Sequence, residues 1–176
     1  MMSLYFIAVE PHGELIDKIR AIQKDFAERF SSCKSYKNFP HITITPPFSL
    51  HDEEETALIS KFKDISLTTK PFTVHLNGFG SFSNSKNPAI FIKPENESGL
   101  TTLFNEINSA MKSFDYKVSK FRPHLTVAYR DLSPENYQKS WQEYQSKTFR
   151  DRFEVNVVKL YKHDRKKWNE IAYKPL

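Results

Sequence analysis

The chain has few of the residues that staple or anchor a small protein. Its one cysteine, Cys33, has no partner for an intramolecular disulfide and stands in no spacing that resembles a zinc site. No stretch approaches the ~20 apolar residues of a membrane-spanning helix. The opening Met-Met-Ser-Leu-Tyr-Phe-Ile-Ala-Val-Glu-Pro has an apolar run too short for a signal-peptide core, and no basic residue precedes it. We therefore expect a cytoplasmic protein with no membrane association. Neither His41 nor His124 has a carboxylate or cysteine beside it at a familiar ligand spacing, which argues against a histidine-ligated metal hydrolase. No metal and no cofactor are expected.

What is present is ample apolar material and an excess of positive charge. The 176 residues suit a single domain, 1–176, or two small lobes that share a core. Hydrophobic residues make up 39% of the chain, with 15 Phe and 8 Tyr, enough for a packed core and against wholesale disorder. The net charge is +5, and a basic surface fits an anionic partner such as RNA or a nucleotide. Nothing implies a protein partner, and a monomer is expected.

Apolar periodicity divides the chain into strands and helices. Residues 4–9 read as a buried strand stopped by Pro11. Leu15, Ile19, Ile22, Phe26 and Phe30 mark one face of a helix. Residues 41–45 form a β-branched strand that proline on both sides keeps short. The acidic run 52–55 opens a helix through Leu58 and Phe62, and residues 72–76 form a strand that Gly78 and Gly80 end. The second half replays this order: a strand at 89–92, a helix face from Leu100 to Met111, and a strand at 125–129. Ser133-Pro134 then caps a helix through Tyr137, Trp141 and Tyr144. A strand at 153–161, a turn at 164–167 and a strand at 168–173 follow.

Three landmarks recur in the same order. Phe6-Ile7 matches Phe91-Ile92 at an offset of 85 residues, Pro40-His41-Ile42-Thr43 matches Pro123-His124-Leu125-Thr126 at 83, and Phe72-Thr73-Val74 matches Phe153-Glu154-Val155 at 81. The expected fold is mixed α/β (α+β), internally duplicated, with pseudo-symmetric lobes at approximately 4–80 and 89–161 and a closing hairpin at 153–173. Such symmetry sets equivalent residues opposite each other across a cleft.

Side chains alternate faces along a strand, so His41 and Thr43 point one way together, as do His124 and Thr126. Thr45 continues the first row, and Ala128 and Arg130 the second. Two imidazoles, two hydroxyls and a guanidinium then face one cleft, a set suited to a phosphodiester. A neutral imidazole takes a proton from the attacking oxygen, and a protonated one gives a proton to the departing oxygen. Threonine hydroxyls and Arg130 donate to the phosphoryl oxygens. Either histidine can take either role.

These residues resemble a known family. Pro-His41-Ile-Thr43-Ile and Pro-His124-Leu-Thr126-Val look like the paired His-x-Thr-x signatures of the 2H phosphoesterase superfamily, in its bacterial 2′-5′ RNA ligase / cyclic phosphodiesterase branch. The resemblance implies two antiparallel-rich sheets facing a central cleft, with helices outside. It implies metal-free opening or sealing of 2′,3′-cyclic or 2′-5′ phosphodiester bonds of RNA ends or small cyclic nucleotides. The histidines would act as acid and base, with Thr43 and Thr126 on the phosphate. Candidate substrate contacts are Arg130, by its place on the same face, and Phe48 and Tyr161, as rings on which a base stacks. The basic cluster Lys159, Lys162, Arg165, Lys166 and Lys167 is a candidate phosphate-backbone track, and the Ser- and Asn-rich residues 78–87 a candidate loop over the cleft. The competing reading is a non-catalytic RNA-end or nucleotide-binding protein that retains the cleft.

Overall fold

A computed structural model describes residues 1–83 and 86–176. The elements run β1 (Met2–Val9), α1 (Glu14–Phe30), β2 (Ile42–His51), α2 (Glu55–Asp64), β3 (Phe72–Phe82), β4 (Ala89–Glu95), α3 (Ser98–Ala110), β5 (Leu125–Ala128), α4 (Pro134–Tyr144), β6 (Arg150–Val155), β7 (Val157–His163) and β8 (Trp168–Pro175). The fold is mixed α/β, with its strands paired antiparallel in the order β6-β3-β4-β5-β2-β1-β7-β8.

This order consists of two four-stranded halves. They meet at β2 and β5, where one bridging pair, Ile42 with Leu125, joins them into a single sheet. The expected pair of sheets is thus one sheet with a narrow seam. The sheet is bent. β6 and β7 stand six strand positions apart, about 29 Å in a flat sheet, yet one residue, Asn156, connects them. Each half carries helices on one face: α1 lies against β5 and β6, α4 against β4, α3 against β2 and β3, and α2 against β8.

Strand alternation sorts side chains between the two faces. In β1, Tyr5, Ile7 and Val9 join the main core under the helices, while Phe6 and Ala8 face the other way and pack with Tyr161. The apolar stripe of α1 is buried as the spacing predicts, at Leu15, Ile19, Phe26 and Phe30, but it also carries Gln23. At α4, the Ser133 hydroxyl accepts the Asn136 N–H at 3.1 Å and Pro134 stands at the helix start.

Several boundaries differ from the expectation. β2 continues through Pro46 and Pro47 to His51, because the prolines sit where its register with β1 shifts, between the pairs Ile7–Thr45 and Tyr5–Phe48. A bulge needs no ladder N–H from them. β3 likewise runs through both glycines. Gly78, at φ +69°, occupies a register shift against β4, and a Cβ on Gly80 would come within 2.6 Å of the Phe91 ring. Residues 78–82 are therefore strand rather than loop, and residues 84 and 85 lie outside the described residues. The strand expected at 153–161 breaks at Asn156 into β6 and β7, which serve opposite halves of the sheet. The landmarks at 72–74 and 153–155 pair directly with each other, and β7 takes the place beside β1 that β3 takes beside β4.

Candidate active site

The histidines precede β2 and β5, the two strands that form the seam, so each motif begins where the halves touch. Their surroundings match closely. His41 Nδ1 lies 2.9 Å from the Phe39 carbonyl, and His124 Nδ1 lies 2.6 Å from the Arg122 carbonyl. A carbonyl only accepts, so in both rings Nδ1 carries the proton and Nε2 is left for the cleft. The preceding prolines explain the match. Each holds the residue before it extended, which turns that carbonyl back toward the imidazole two residues on.

Phenylalanine rings flank both imidazoles. His41 lies 5.1 Å from Phe6 and from Phe39, and His124 lies 4.9 Å from Phe82 and 5.3 Å from Phe91. This apolar setting disfavours the imidazolium. Burial pushes His41 down to about 4 against the opposing pull of its carbonyl bond, and the charge of His124 adds in the same direction. Burial also lowers His124 below its ordinary value.

One cleft of about 330 Å³ is lined by His41, Thr43, His124, Thr126 and Arg130 together. Among the described residues neither motif threonine hydroxyl is bonded to another group, so both are free to donate into it. The Thr126 strand is tied to α1, whose Gln23, itself lining the cleft, donates from Nε2 to the Thr126 carbonyl at 3.4 Å. Arg130 has a left-handed backbone, φ 60°, with its guanidinium over the Tyr129 ring at 5.3 Å. Among the described residues no three His, Cys, Asp or Glu side chains converge as a metal site would require.

Four residues expected on these rows or in the site are placed elsewhere. Ala128 leaves the second row at a register shift between the pairs Phe91–Thr126 and Ile90–Ala128 and is fully buried in the core. Thr45 leaves the row at a second register shift, between the pairs Ala8–Thr43 and Ile7–Thr45, and is fully buried, donating to Asn108 Oδ1 at 2.8 Å. Phe48 is 6% exposed and stacks on Tyr116 at 4.5 Å in the core; its pairing with Tyr5, a core-facing residue of β1, puts it on the face opposite His41. Tyr161 is 3% exposed, because its β1 partner Phe6 stacks on it at 5.0 Å and Phe39 covers it at 4.8 Å. The rings that reach the cleft are Phe6, Phe39, Tyr129 and Trp168. Of the basic cluster, Lys159 is paired with Glu10 and Glu170, and Lys162 with Glu55, so these two are not free for a phosphate.

One histidine of the site has no motif. His163 lines the cleft beside Trp168, with ring centroids 4.9 Å apart, and its Nδ1 accepts the Arg165 N–H at 3.2 Å. It ends β7 at the hairpin turn, and no local pattern points to it. His51 instead closes a capping box with Glu54 at the turn before α2, and His12 Nε2 lies 3.1 Å from the Glu154 carbonyl.

Residues 7–167 match the family model described as the 2′-5′ RNA ligase superfamily. The chain belongs to that superfamily. A Bacillus anthracis protein named "Putative phosphoesterase" is 31% identical over 121 residues, 69% of this chain and 66% of that protein. The fold is that of Escherichia coli LigT, solved in complex with 3′-AMP, at TM-score 0.70 and 18% identity over 100% of this chain and 99% of the other. TT0787 of Thermus thermophilus gives TM-score 0.69 and 17% identity over 98% and 97% of the two chains. Among its described residues no helix is long and apolar enough to cross a membrane.

Proposed function

We propose that the protein hydrolyses 2′,3′-cyclic or 2′-5′ phosphodiester bonds of RNA ends or nucleotides, with His41 and His124 as base and acid and without a metal. The observation that carries this reading is the cleft itself: two imidazoles presenting Nε2 and two unbonded threonine hydroxyls line one cavity. Binding of a nucleotide by the structural relative LigT supports the substrate class.

A 2′,3′-cyclic phosphate lies between the motifs, its nonbridging oxygens accepting from Thr43, Thr126 and Arg130. His41, the imidazole held near 4, is neutral and takes a proton from water through Nε2 as the water oxygen attacks phosphorus. His124 gives the proton on its Nε2 to the ribose oxygen that leaves. One P–O bond forms, one breaks, and the product is a phosphomonoester. A 5′-hydroxyl in the place of water, with the 3′-oxygen leaving, yields a 2′-5′ link by the same transfers.

The test is turnover of a 2′,3′-cyclic mononucleotide in excess EDTA. His41→Ala and His124→Ala are each expected to lose at least about 100-fold in rate, the low end of an acid or base contribution. Failure of the wild type to cleave either the mononucleotide or an RNA oligonucleotide ending in the cyclic phosphate would refute the reading. A histidine variant with near-full turnover removes that residue from the mechanism.

A further inference from the structure

A second cavity, of about 870 Å³, opens off the cleft and shares Asn38, Phe39, Tyr129, Arg130, His163 and Trp168 with it. Among the described residues it is lined by seven arginine and lysine side chains and one carboxylate, Glu10. That is more positive charge than the +5 net charge of the whole chain. Glu10 is already paired with Lys159, which lies outside the lining.

Both walls of this groove are held by carboxylates that bind backbone. On one side Asp131, just after β5, accepts from the Ser32 hydroxyl at 3.0 Å, the Cys33 N–H at 2.8 Å and the Lys34 N–H at 3.1 Å. Arg20 of α1 donates to the Asn38 carbonyl at 2.8 Å and lies over the Tyr36 ring. The segment so fixed carries Lys34 and Lys37. On the other side Asp164 accepts the N–H groups of Lys166 and Lys167 at 2.9 and 2.8 Å and the Asn169 side chain at 2.9 Å. These bonds hold the Asp164 carboxyl down at about 2. The nearby negative charge thus goes to fixing main chain. Among the described residues Lys34, Lys37, Lys166 and Lys167 have no carboxylate within ion-pair distance.

Unpaired cations on two fixed walls, with rings at the junction to the cleft, match a row of phosphates carrying bases better than a single phosphate. We infer that the groove is a second binding site, for the sugar–phosphate backbone of single-stranded RNA that leads up to the terminal nucleotide in the cleft. The inference rests on the reading of the cleft above, since a 2′,3′-cyclic phosphate exists only on ribose and a chain ending in one is RNA. It goes beyond that reading in assigning the preferred substrate: a polymer, bound mainly outside the reacting site. A mononucleotide fills the cleft alone, and each further phosphate meets the lysines of the α1–β2 segment and of the β7–β8 turn.

The test uses a fluorescently labelled single-stranded oligoribonucleotide with a 3′-terminal phosphate, its binding followed by anisotropy across salt concentrations. Lys34→Glu/Lys37→Glu and Lys166→Glu/Lys167→Glu are each expected to weaken binding at least about tenfold at low salt and to flatten the log–log salt slope by about 0.7 for each phosphate that is no longer neutralised. The Lys→Ala pairs shift binding the same way by less, and guard against an effect of charge reversal on folding. Turnover of a 2′,3′-cyclic mononucleotide is expected to stay unchanged in all four. Binding that none of the pairs alters, or a loss of mononucleotide turnover in step with the loss of binding, overturns the inference. If the wild type binds the oligonucleotide with the expected salt and lysine dependence but cleaves no cyclic phosphate, the groove stands and the reading of the cleft falls.

Discussion

The imidazoles are set apart from free histidine, and the pH profile should show it. The perturbation is a shift from pH 5.5 to pH 7.5, measured as kcat/KM for a 2′,3′-cyclic mononucleotide below saturation, at constant ionic strength. This quantity reports the free protein, in which one imidazole must be protonated and the other neutral. His41, near 4, is almost wholly neutral at both pH values, so the change follows His124 alone. Its proton is held with a pKa below 6.5, because burial opposes the charge. Raising the pH by two units across such a group lowers its protonated fraction, and with it kcat/KM, by about tenfold or more. Two unperturbed imidazoles at about 6.5 would instead give a bell centred there and equal values at pH 5.5 and 7.5. In the complex the phosphodiester anion favours the imidazolium, so the falling limb of kcat should lie at higher pH than that of kcat/KM. A sample returned to pH 7.5 after incubation at 5.5 should recover its rate, which separates titration from unfolding. Equal or rising kcat/KM between the two pH values would refute both the lowered histidines and the role given to His124.

Other variants probe the remaining groups. Thr126→Val, which keeps the shape but removes the donor, should lower kcat by about 100-fold, the low end for one oxyanion donor, while Thr126→Ser should restore most of it. Phe48→Ala should leave KM for a cyclic nucleotide unchanged, yet lower stability to urea by about 3 kcal/mol or more, the cost of emptying a buried aromatic position; a raised KM at unchanged stability would return Phe48 to the cleft. Asn108→Leu should cost about 3 kcal/mol in the same assay, because Asn108 bonds the Thr45 and Tyr116 hydroxyls and the Ile44 and Phe104 carbonyls at once.

The parts of the site that follow from short-range pattern were legible in the sequence. Proline, histidine and threonine at fixed spacing determine which atoms face which way within one strand. Arg130 lines the cleft by another route: a register shift takes Ala128 out of the row, and Arg130 lies past the end of β5 with a left-handed backbone. Phe48 falls on the core face through its pairing with Tyr5, after two register shifts between Thr43 and Phe48 that local alternation does not encode. What was hidden depends on pairing across the chain. The seam of the sheet is one pair of residues, 83 positions apart. Lys159 and Lys162 look free in sequence and are taken by carboxylates beyond β1, in β8 and in α2. His163 joins the cleft only because the β7–β8 turn and the β1–β7 register bring it there. Asp131, which organises the segment at 32–34, is 97 to 99 residues from its partners. No local periodicity encodes such a bond.

The seam has a mechanical consequence. Where two sheet halves share a single rung, flexing of one against the other pivots about that rung, and displacement grows with distance from it. Ile42 and Leu125 form the rung, and each is the immediate neighbour of a motif histidine. The imidazoles therefore sit beside the pivot, one on each half, and groups farther along the strands stand at the longer arm. The angle between the halves at this rung thus sets the spacing of the two proton carriers less than it sets the spacing of groups farther from the seam.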